Sequence, residues 1–172
     1  GHGSQCLPRT LMLRHYADCL CLVQRPVREV ESLRSGKFRI VNARVSEANQ
    51  KLRDAGTKGE VYEFEAELEP GKADEIGFRL RKSKEAEKLV GFDAGHSEVY
   101  LDRTNSGKIT FSNNFPGRFS ARLEQSASIE LHVFVDRSGV QAFVNESEGV
   151  LTDPNYRPPR SDASAGDGRG RR

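Results

Sequence analysis

Two Asp-Arg pairs in similar contexts are the first candidates for chemistry. Asp102 and Arg103 follow the run Val-Tyr-Leu, and Asp136 and Arg137 follow the run Val-Phe-Val. Hydrolysis of a glycosidic bond commonly uses two carboxyl groups, one of which must hold its proton. An arginine directly after each aspartate instead favours the ionised carboxylate. Each pair also stands where a strand-like run meets a glycine-containing turn, so we interpret both pairs as structural turn residues rather than catalytic residues.

The other residues that commonly act in catalysis or metal binding show no such arrangement. Gly95–Val99 lacks the closing glycine of a nucleophile elbow, and Asn145–Ser147 fits the glycosylation sequon, a tripeptide that is common by chance. The four histidines are scattered without metal-ligand spacing: His2, His15, His96 and His132. The sequence therefore predicts no catalytic residue, no metal site and no cofactor.

The three cysteines do not form a disulfide framework, because their number is odd and low. Cys19 and Cys21 lie two residues apart, so in a strand their side chains share one face. His15 is the only nearby further metal ligand. We therefore expect buried structural thiols rather than a metal site.

Charge is distributed unevenly along the 172 residues, whose net charge is +2. Residues 157–172 hold five arginines and two aspartates, which is +3, so the remainder carries −1. A neutral folded part predicts no nucleic-acid partner. No apolar run approaches the ~18 residues that a membrane helix needs, so no membrane partner is expected. No signal peptide is visible, and the compartment is left unassigned.

Alternation of apolar and polar residues dominates the pattern. Tyr62, Phe64, Ala66 and Leu68 alternate with glutamates, which predicts a half-buried antiparallel strand, and Pro70-Gly71 predicts the turn that follows it. Similar short runs with turn residues between them predict about a dozen strands, and hence an all-β, two-sheet antiparallel β-sandwich of the concanavalin or jelly-roll kind. The further runs are residues 10–15, 19–23, 37–45, 76–82, 88–93, 98–102, 108–112, 119–124, 129–135, 140–145 and 149–152.

Three segments depart from the strand pattern. One short helix is predicted near residues 26–35, with Pro26 at its start and Gly36 at its end. Residues 157–172 have no aliphatic side chain larger than alanine and are predicted to be disordered. Residues 1–6 are interpreted as an expression scar or linker, which leaves 7–156 as the sandwich domain.

Six blocks of sequence, in order, resemble the C-terminal β-sandwich domain of glycoside hydrolase family 32, the β-fructosidases such as levanases, invertases and inulinases. The blocks cover residues 7–13, 22–34, 77–83, 91–107, 115–124 and 131–153. The resemblance implies a domain that packs against an N-terminal five-bladed β-propeller, which carries the catalytic residues. None of the family's three catalytic motifs is matched here. Asp153–Asn155 echoes one of them, but it lies at the end of the sandwich, so no role is carried over to it.

The chain also departs from the family pattern in two places. Where the family usually has Ser-Val-Glu-Val-Phe, residues 139–143 read Gly-Val-Gln-Ala-Phe. Gln141 keeps a polar side chain but loses the charge, which puts in doubt any salt bridge or ligand contact of that glutamate. The family's final apolar strand is not matched after Asp153, and its loss would leave one sheet edge unpaired.

The resemblance leaves two functions open. The first is a non-catalytic, structural domain that packs on the propeller of a fructan- or sucrose-hydrolysing enzyme and stabilises it or shapes a homo-oligomer. The alternative is a carbohydrate-binding module for fructan (levan or inulin). The absence of tryptophan disfavours an aromatic sugar platform. Tyr62 and Tyr100 occupy core-like positions, so Tyr16 and Tyr156 are the tyrosines left as candidates for exposed sugar-stacking rings.

Overall fold

A computed structural model describes most of the chain. The described residues are 5–15, 20–80, 87–103, 117–123, 128–137, 139–145 and 149–154. The predicted strand at residues 108–112, the predicted disorder of residues 157–172 and the segment that follows Pro154 lie outside them. So do Cys19, Tyr16 and Tyr156.

Ten strands are present in the described part of the chain, and all of their pairings are antiparallel. They are β1 (Arg9–His15), β2 (Leu20–Pro26), β3 (Tyr62–Leu68), β4 (Glu75–Leu80), β5 (Lys88–Asp93), β6 (Glu98–Asp102), β7 (Arg118–Arg122), β8 (Ile129–Val135), β9 (Gly139–Val144) and β10 (Gly149–Pro154). The predicted all-β sandwich is confirmed.

The strands form two four-stranded sheets and a separate two-stranded ribbon. The first sheet has the order β10-β9-β8-β3, the second has the order β4-β5-β6-β7, and the ribbon consists of β1 and β2. Neighbours along the second sheet are consecutive in sequence, so it is a simple meander. In the first sheet β3 is joined to the later β8, which ties the early and late parts of the sandwich together.

The core lies between the two sheets and follows the predicted alternation. Tyr62, Phe64 and Ala66 pack against it, and Leu68 belongs to it. The buried aliphatic members from the other strands are Leu80, Val90, Val99, Leu101, Ile129, Leu131, Val133, Val135, Val140, Ala142, Val144 and Leu151. Lys88 shares the inward face of β5 with Val90 and is only 1% exposed, which alternation alone does not foretell.

The short helix predicted near residues 26–35 is present, but it is a 3-10 helix and it begins after Pro26. A 3-10 helix spans Arg28–Leu33, and none of its residues is buried. Pro26 is the last residue of β2 and pairs with Arg9, so it does not begin the helix. Leu33 is 79% exposed, because no other element covers the face on which it lies.

The strand predicted at residues 37–45 is also wrong. Residues 37–44 have no regular structure, and α1 (Val45–Asp54) begins where that strand should end. The helix has recognisable end signals that the apolar alternation before it obscured. Glu47 accepts a hydrogen bond from the backbone N–H of Arg44 at 3.1 Å, and Lys51 and Arg53 lie in the last turn. None of its residues is buried.

Candidate functional site

The two Asp-Arg pairs are not brought together into one site. Asp102 ends β6 in the second sheet, where it pairs with Arg118 of β7. Asp136 follows β8, in the first sheet. Both aspartates and Arg103 also have other polar contacts. The two carboxylates therefore lie at the ends of strands that belong to different sheets.

Asp136 sits in the tight turn between β8 and β9. Its Oδ1 accepts a hydrogen bond from the backbone N–H of Gly139 at 2.7 Å, and its own N–H donates to the Gly139 carbonyl at 3.0 Å. Arg137 extends away from the turn, and its Nε donates to Glu60 Oε2 at 2.7 Å while its side chain stays 82% exposed. These contacts join two strands and a loop, and they engage the carboxylate with the backbone of the turn.

Tyr100 is buried, but not in the core that its position suggested. It pairs with Gly91 of β5, on the face opposite that of Val99 and Leu101, and so lies on the outside of the second sheet. The guanidinium of Arg118 lies 4.0 Å from its ring centre. A Cβ on Gly91 would lie 2.9 Å from the Tyr100 hydroxyl, so this glycine makes room for the ring. Burial, and then a hydrogen bond with Glu75, raise the pKa of Tyr100 above its ordinary value.

A small charged cluster adjoins this tyrosine. Asp93 Oδ1 accepts from the backbone N–H of His96 at 3.1 Å, and its Oδ2 lies 2.9 Å from His96 Nδ1. Arg118 Nη2 lies 3.6 Å from the same carboxylate. These partners, the His96 side chain foremost, hold the pKa of Asp93 below its usual range. The cluster closes the turn between β5 and β6, and its polar groups satisfy one another.

Exposed apolar side chains are concentrated in one part of the molecule, which we call the N-terminal layer and define as residues 5–15 and 20–61. In the part of the chain that the structure describes, all nine exposed large apolar residues lie within it: Leu11, Met12, Leu13, Leu20, Leu22, Leu33, Phe38, Val41 and Val61. Among the described residues, only one of its side chains is buried, that of Val23. The sandwich strands thus cover their own apolar faces, whereas the N-terminal layer does not.

Four of these exposed residues form one continuous face of the ribbon, which we call the leucine face. Leu13 and Leu22 are directly opposed across the ribbon, and Leu11 and Leu20 lie two residues away on the same side. Their exposed fractions are 61% for Leu11, 67% for Leu13, 59% for Leu20 and 52% for Leu22. A contiguous exposed apolar face of this kind marks an interaction surface more often than a freely solvated one.

Arg9 holds one end of the ribbon on the outer face of the first sheet. It is on the same side of β1 as the leucine face. Its Nη2 donates to Gln141 Oε1 at 3.2 Å and to Thr152 Oγ1 at 3.0 Å, and its Nη1 donates to Gln24 Oε1 at 2.9 Å. The guanidinium also lies 5.5 Å from the ring centre of Phe143. The ribbon is therefore attached to the first sheet at Arg9, and the leucine face beyond this contact is exposed.

A second arginine fastens the N-terminal layer further along. Arg34, after the 3-10 helix, donates through Nε to Glu63, and its Nη2 lies 3.6 Å from Glu65 Oε1. His132 lies beside the same carboxylates, with Nε2 3.7 Å from Glu63 and 3.8 Å from Glu65. The hydrogen bond and charge of Glu63 raise the pKa of Arg34, which stays a cation. Polar contacts thus attach the layer to the sandwich.

Within the described ranges, no group of three or more His, Cys, Asp or Glu side chains could hold a metal ion. Cys6 is exposed and Cys21 is half-buried rather than fully buried. No helix in the described part of the chain is long and apolar enough to cross a membrane.

Sequence reasoning missed the leucine face, although its signal was present. Residues 10–15 and 19–23 were read as ordinary sandwich strands, whose apolar residues would point inward. Both strands do form, but among the described strands they pair only with each other. Apolar residues at positions of both parities, such as Leu11, Met12 and Leu13, are the feature that separates this ribbon from a strand with one buried face.

Comparison with known proteins places the chain in a family. The family model described as "Glycosyl hydrolases family 32 C terminal" matches residues 29–166. A levanase of Bacillus subtilis is 35% identical over 86% of this chain, and the match covers 22% of the levanase. An extracellular exo-inulinase of Aspergillus ficuum is 30% identical over 94% of the chain, which covers 30% of that protein.

A solved structure shows the same fold. The crystal structure of exo-inulinase from Aspergillus awamori superposes with a TM-score of 0.71 and 25% identity over 94% of this chain, which covers 34% of the inulinase chain. The present chain thus spans about a fifth to a third of these longer proteins. From its sequence and its fold, the chain belongs to the glycosyl hydrolase family 32 C-terminal domains.

Proposed function

We propose that this domain is a non-catalytic accessory sandwich that packs against the β-propeller catalytic domain of a fructan- or sucrose-hydrolysing glycoside hydrolase and stabilises it. The observation that carries the proposal is the concentration of exposed apolar side chains in the N-terminal layer. The family resemblance supplies the partner, and the names of the relatives, levanase and exo-inulinase, supply the substrate class.

The arrangement of the layer supports a partner joined in the same polypeptide. The family model describes a C-terminal domain, which supports a catalytic partner earlier in the same polypeptide. The ribbon contains the first strand of the described chain, and its leucine face extends past the point where Arg9 holds it on the sandwich. A catalytic domain linked covalently to β1 would lie close to the leucine face. Because the two domains are already joined, docking would cost no loss of translational freedom.

The Asp-Arg pairs fit the same proposal as structural elements. Asp136 accepts a backbone hydrogen bond in the turn before β9, and Arg137 pairs with Glu60. Asp102 and Arg103 end β6, where the backbone N–H of Arg103 donates to the Gly117 carbonyl at 2.7 Å. We assign all four residues to turn and strand-end geometry, and none of them to bond cleavage.

Fructan binding is the alternative, and the outer face of the second sheet disfavours it. Tyr100 is the aromatic side chain at the centre of that face, but it is 5% exposed and covered by Arg118. A sugar would have to displace that arginine to stack on the ring. Calorimetric titration of the chain with levan, inulin and fructose decides the point. Binding tighter than ~1 mM, which corresponds to about 4 kcal/mol, would establish a carbohydrate-binding module.

A fusion tests the accessory role directly. The part of the Bacillus subtilis levanase that the match does not cover would be produced alone and fused to this chain. We expect levan hydrolysis in both, with a longer half-life at elevated temperature in the fusion. Equal half-lives would contradict the proposal. The isolated chain should show no hydrolysis of sucrose or levan above the buffer blank, and turnover by pure protein would overturn the non-catalytic assignment.

A further inference from the structure

The contact between Arg9 and the sandwich contains an unsatisfied group. Arg9 Nη1 and Nη2 have three acceptors between them, on Gln24, Gln141 and Thr152. Among the described residues, the Nε donor is buried and has no hydrogen-bond partner. Buried donors are paired in the great majority of cases, so an unpaired one marks a contact that lacks an acceptor.

The chemistry of residue 141 explains the missing acceptor. Gln141 is 8% exposed and directs Oε1 to Arg9, but its other terminal atom is an amide nitrogen, which is a donor. A carboxylate at this position would carry two acceptor oxygens and could bind a guanidinium through two parallel hydrogen bonds. The contact as it stands is neutral on one side and one acceptor short.

We propose that Arg9 is a positioning residue for the leucine face, and that Gln141 makes its hold on the sandwich weaker than a carboxylate would. Arg9 fixes the angle at which the ribbon leaves the first sheet. The inference rests on the proposed function in one respect, which is that the leucine face is taken as the docking surface. The hold itself is a property of this chain alone.

The ribbon can detach without unfolding the sandwich. A two-stranded ribbon is marginally stable by itself in water, and only Val23 of the N-terminal layer is buried. The core cluster contains no residue of β1 or β2. We therefore expect loss of the Arg9 contacts to loosen the ribbon before the two sheets separate, as in local rather than global opening.

Amide hydrogen exchange of the isolated chain tests the proposal. Arg9→Met keeps the aliphatic stem and removes the guanidinium. We expect amides of β1 and β2 to exchange about tenfold faster or more, as the loss of several hydrogen bonds implies. Amides of β5 and β8 should keep their rates. Equal acceleration in all four strands would show a general loss of stability, and no acceleration in the ribbon would show that Arg9 does not hold it. Either result overturns the proposal.

Gln141→Glu is the complementary variant, which should strengthen the contact that Arg9→Met removes. Replacing a neutral acceptor by a charged one should slow exchange in β1 and β2 roughly fivefold. The same substitution combined with Arg9→Met should give no slowing, because the carboxylate then has no guanidinium to bind. Slowing that persists without the arginine would refute the assigned pairing. No partner is present in these measurements, so their outcome is independent of whether the leucine face docks on a propeller.

Discussion

The leucine face gives the sharpest energetic prediction. The double substitution Leu13→Thr, Leu22→Thr introduces β-branched, strand-compatible side chains and removes apolar surface. Full burial of a leucine is worth about 1.5–3 kcal/mol. With 67% of Leu13 and 52% of Leu22 still exposed in this chain, the part left to bury against a partner is worth roughly 2–3 kcal/mol for the pair. That amount should appear only when the partner is present.

Urea unfolding measures the effect in two settings, the isolated chain and the levanase fusion. We expect the substitutions to cost the fused domain roughly 2–3 kcal/mol more than the isolated domain. Leu33→Thr is the control, since Leu33 is 79% exposed but lies outside the ribbon, and its cost should be the same in both settings. Equal losses for the double variant in both settings would refute the assignment of the leucine face as the docking surface.

Three further predictions concern the second sheet. In the folded chain the pKa of Asp93 is held low, chiefly by His96. Its stabilising contribution is therefore full above the unfolded pKa of about 4 and is lost as the pH falls through the folded pKa. The difference in free energy of unfolding between the native chain and Asp93→Asn should shrink on acidification, and a constant difference would contradict this. Gly91→Ala places a Cβ 2.6 Å from the Ile76 carbonyl oxygen, so urea unfolding should show a loss of about 1–3 kcal/mol, whereas Gly36→Ala, with nothing within 4 Å, should cost nothing. Because the pKa of Tyr100 is raised, its hydroxyl ionises at a higher pH than that of a free tyrosine, and its contribution to stability is lost as the pH rises above about 10. Ultraviolet titration of the native chain and of Tyr100→Phe measures this, since the difference between the two curves is the ionisation of Tyr100. A difference centred at the ordinary tyrosine pKa would contradict the prediction.

The sandwich could be predicted from sequence because its strands bury one face each. In β3, Phe64 and Leu68 alternate with glutamates. The structure places the apolar side chains on the core face and the glutamates on the opposite face, as the two-residue period requires. Where a strand has apolar residues at both odd and even positions, as β1 does, alternation does not show which face of the strand is buried. The segment before α1 was wrongly predicted as a strand for a related reason. Phe38 and Ile40 alternate with charges as in a strand, but no neighbouring strand pairs with them in the described chain.

Contacts across long sequence separation escaped sequence reasoning altogether. The loss of charge at Gln141 was visible against the family pattern, but its partner, Arg9, lies 132 residues earlier and is brought to it only by the fold. The sequence suggested a core-like position for Tyr100, yet alternation puts it on the face opposite that of Val99 and Leu101, where Gly91 leaves it room. The polar groups that attach the N-terminal layer are thus set by topology rather than by local pattern.

The most direct test of the account compares amide exchange of this chain alone with exchange of the same chain in the levanase fusion. The account predicts added protection in β1 and β2, which carry the leucine face, and unchanged rates in β5 and β6 of the second sheet. Protection confined to the second sheet, or the same rates throughout the chain in both settings, would contradict the claim that the leucine face docks on the catalytic domain.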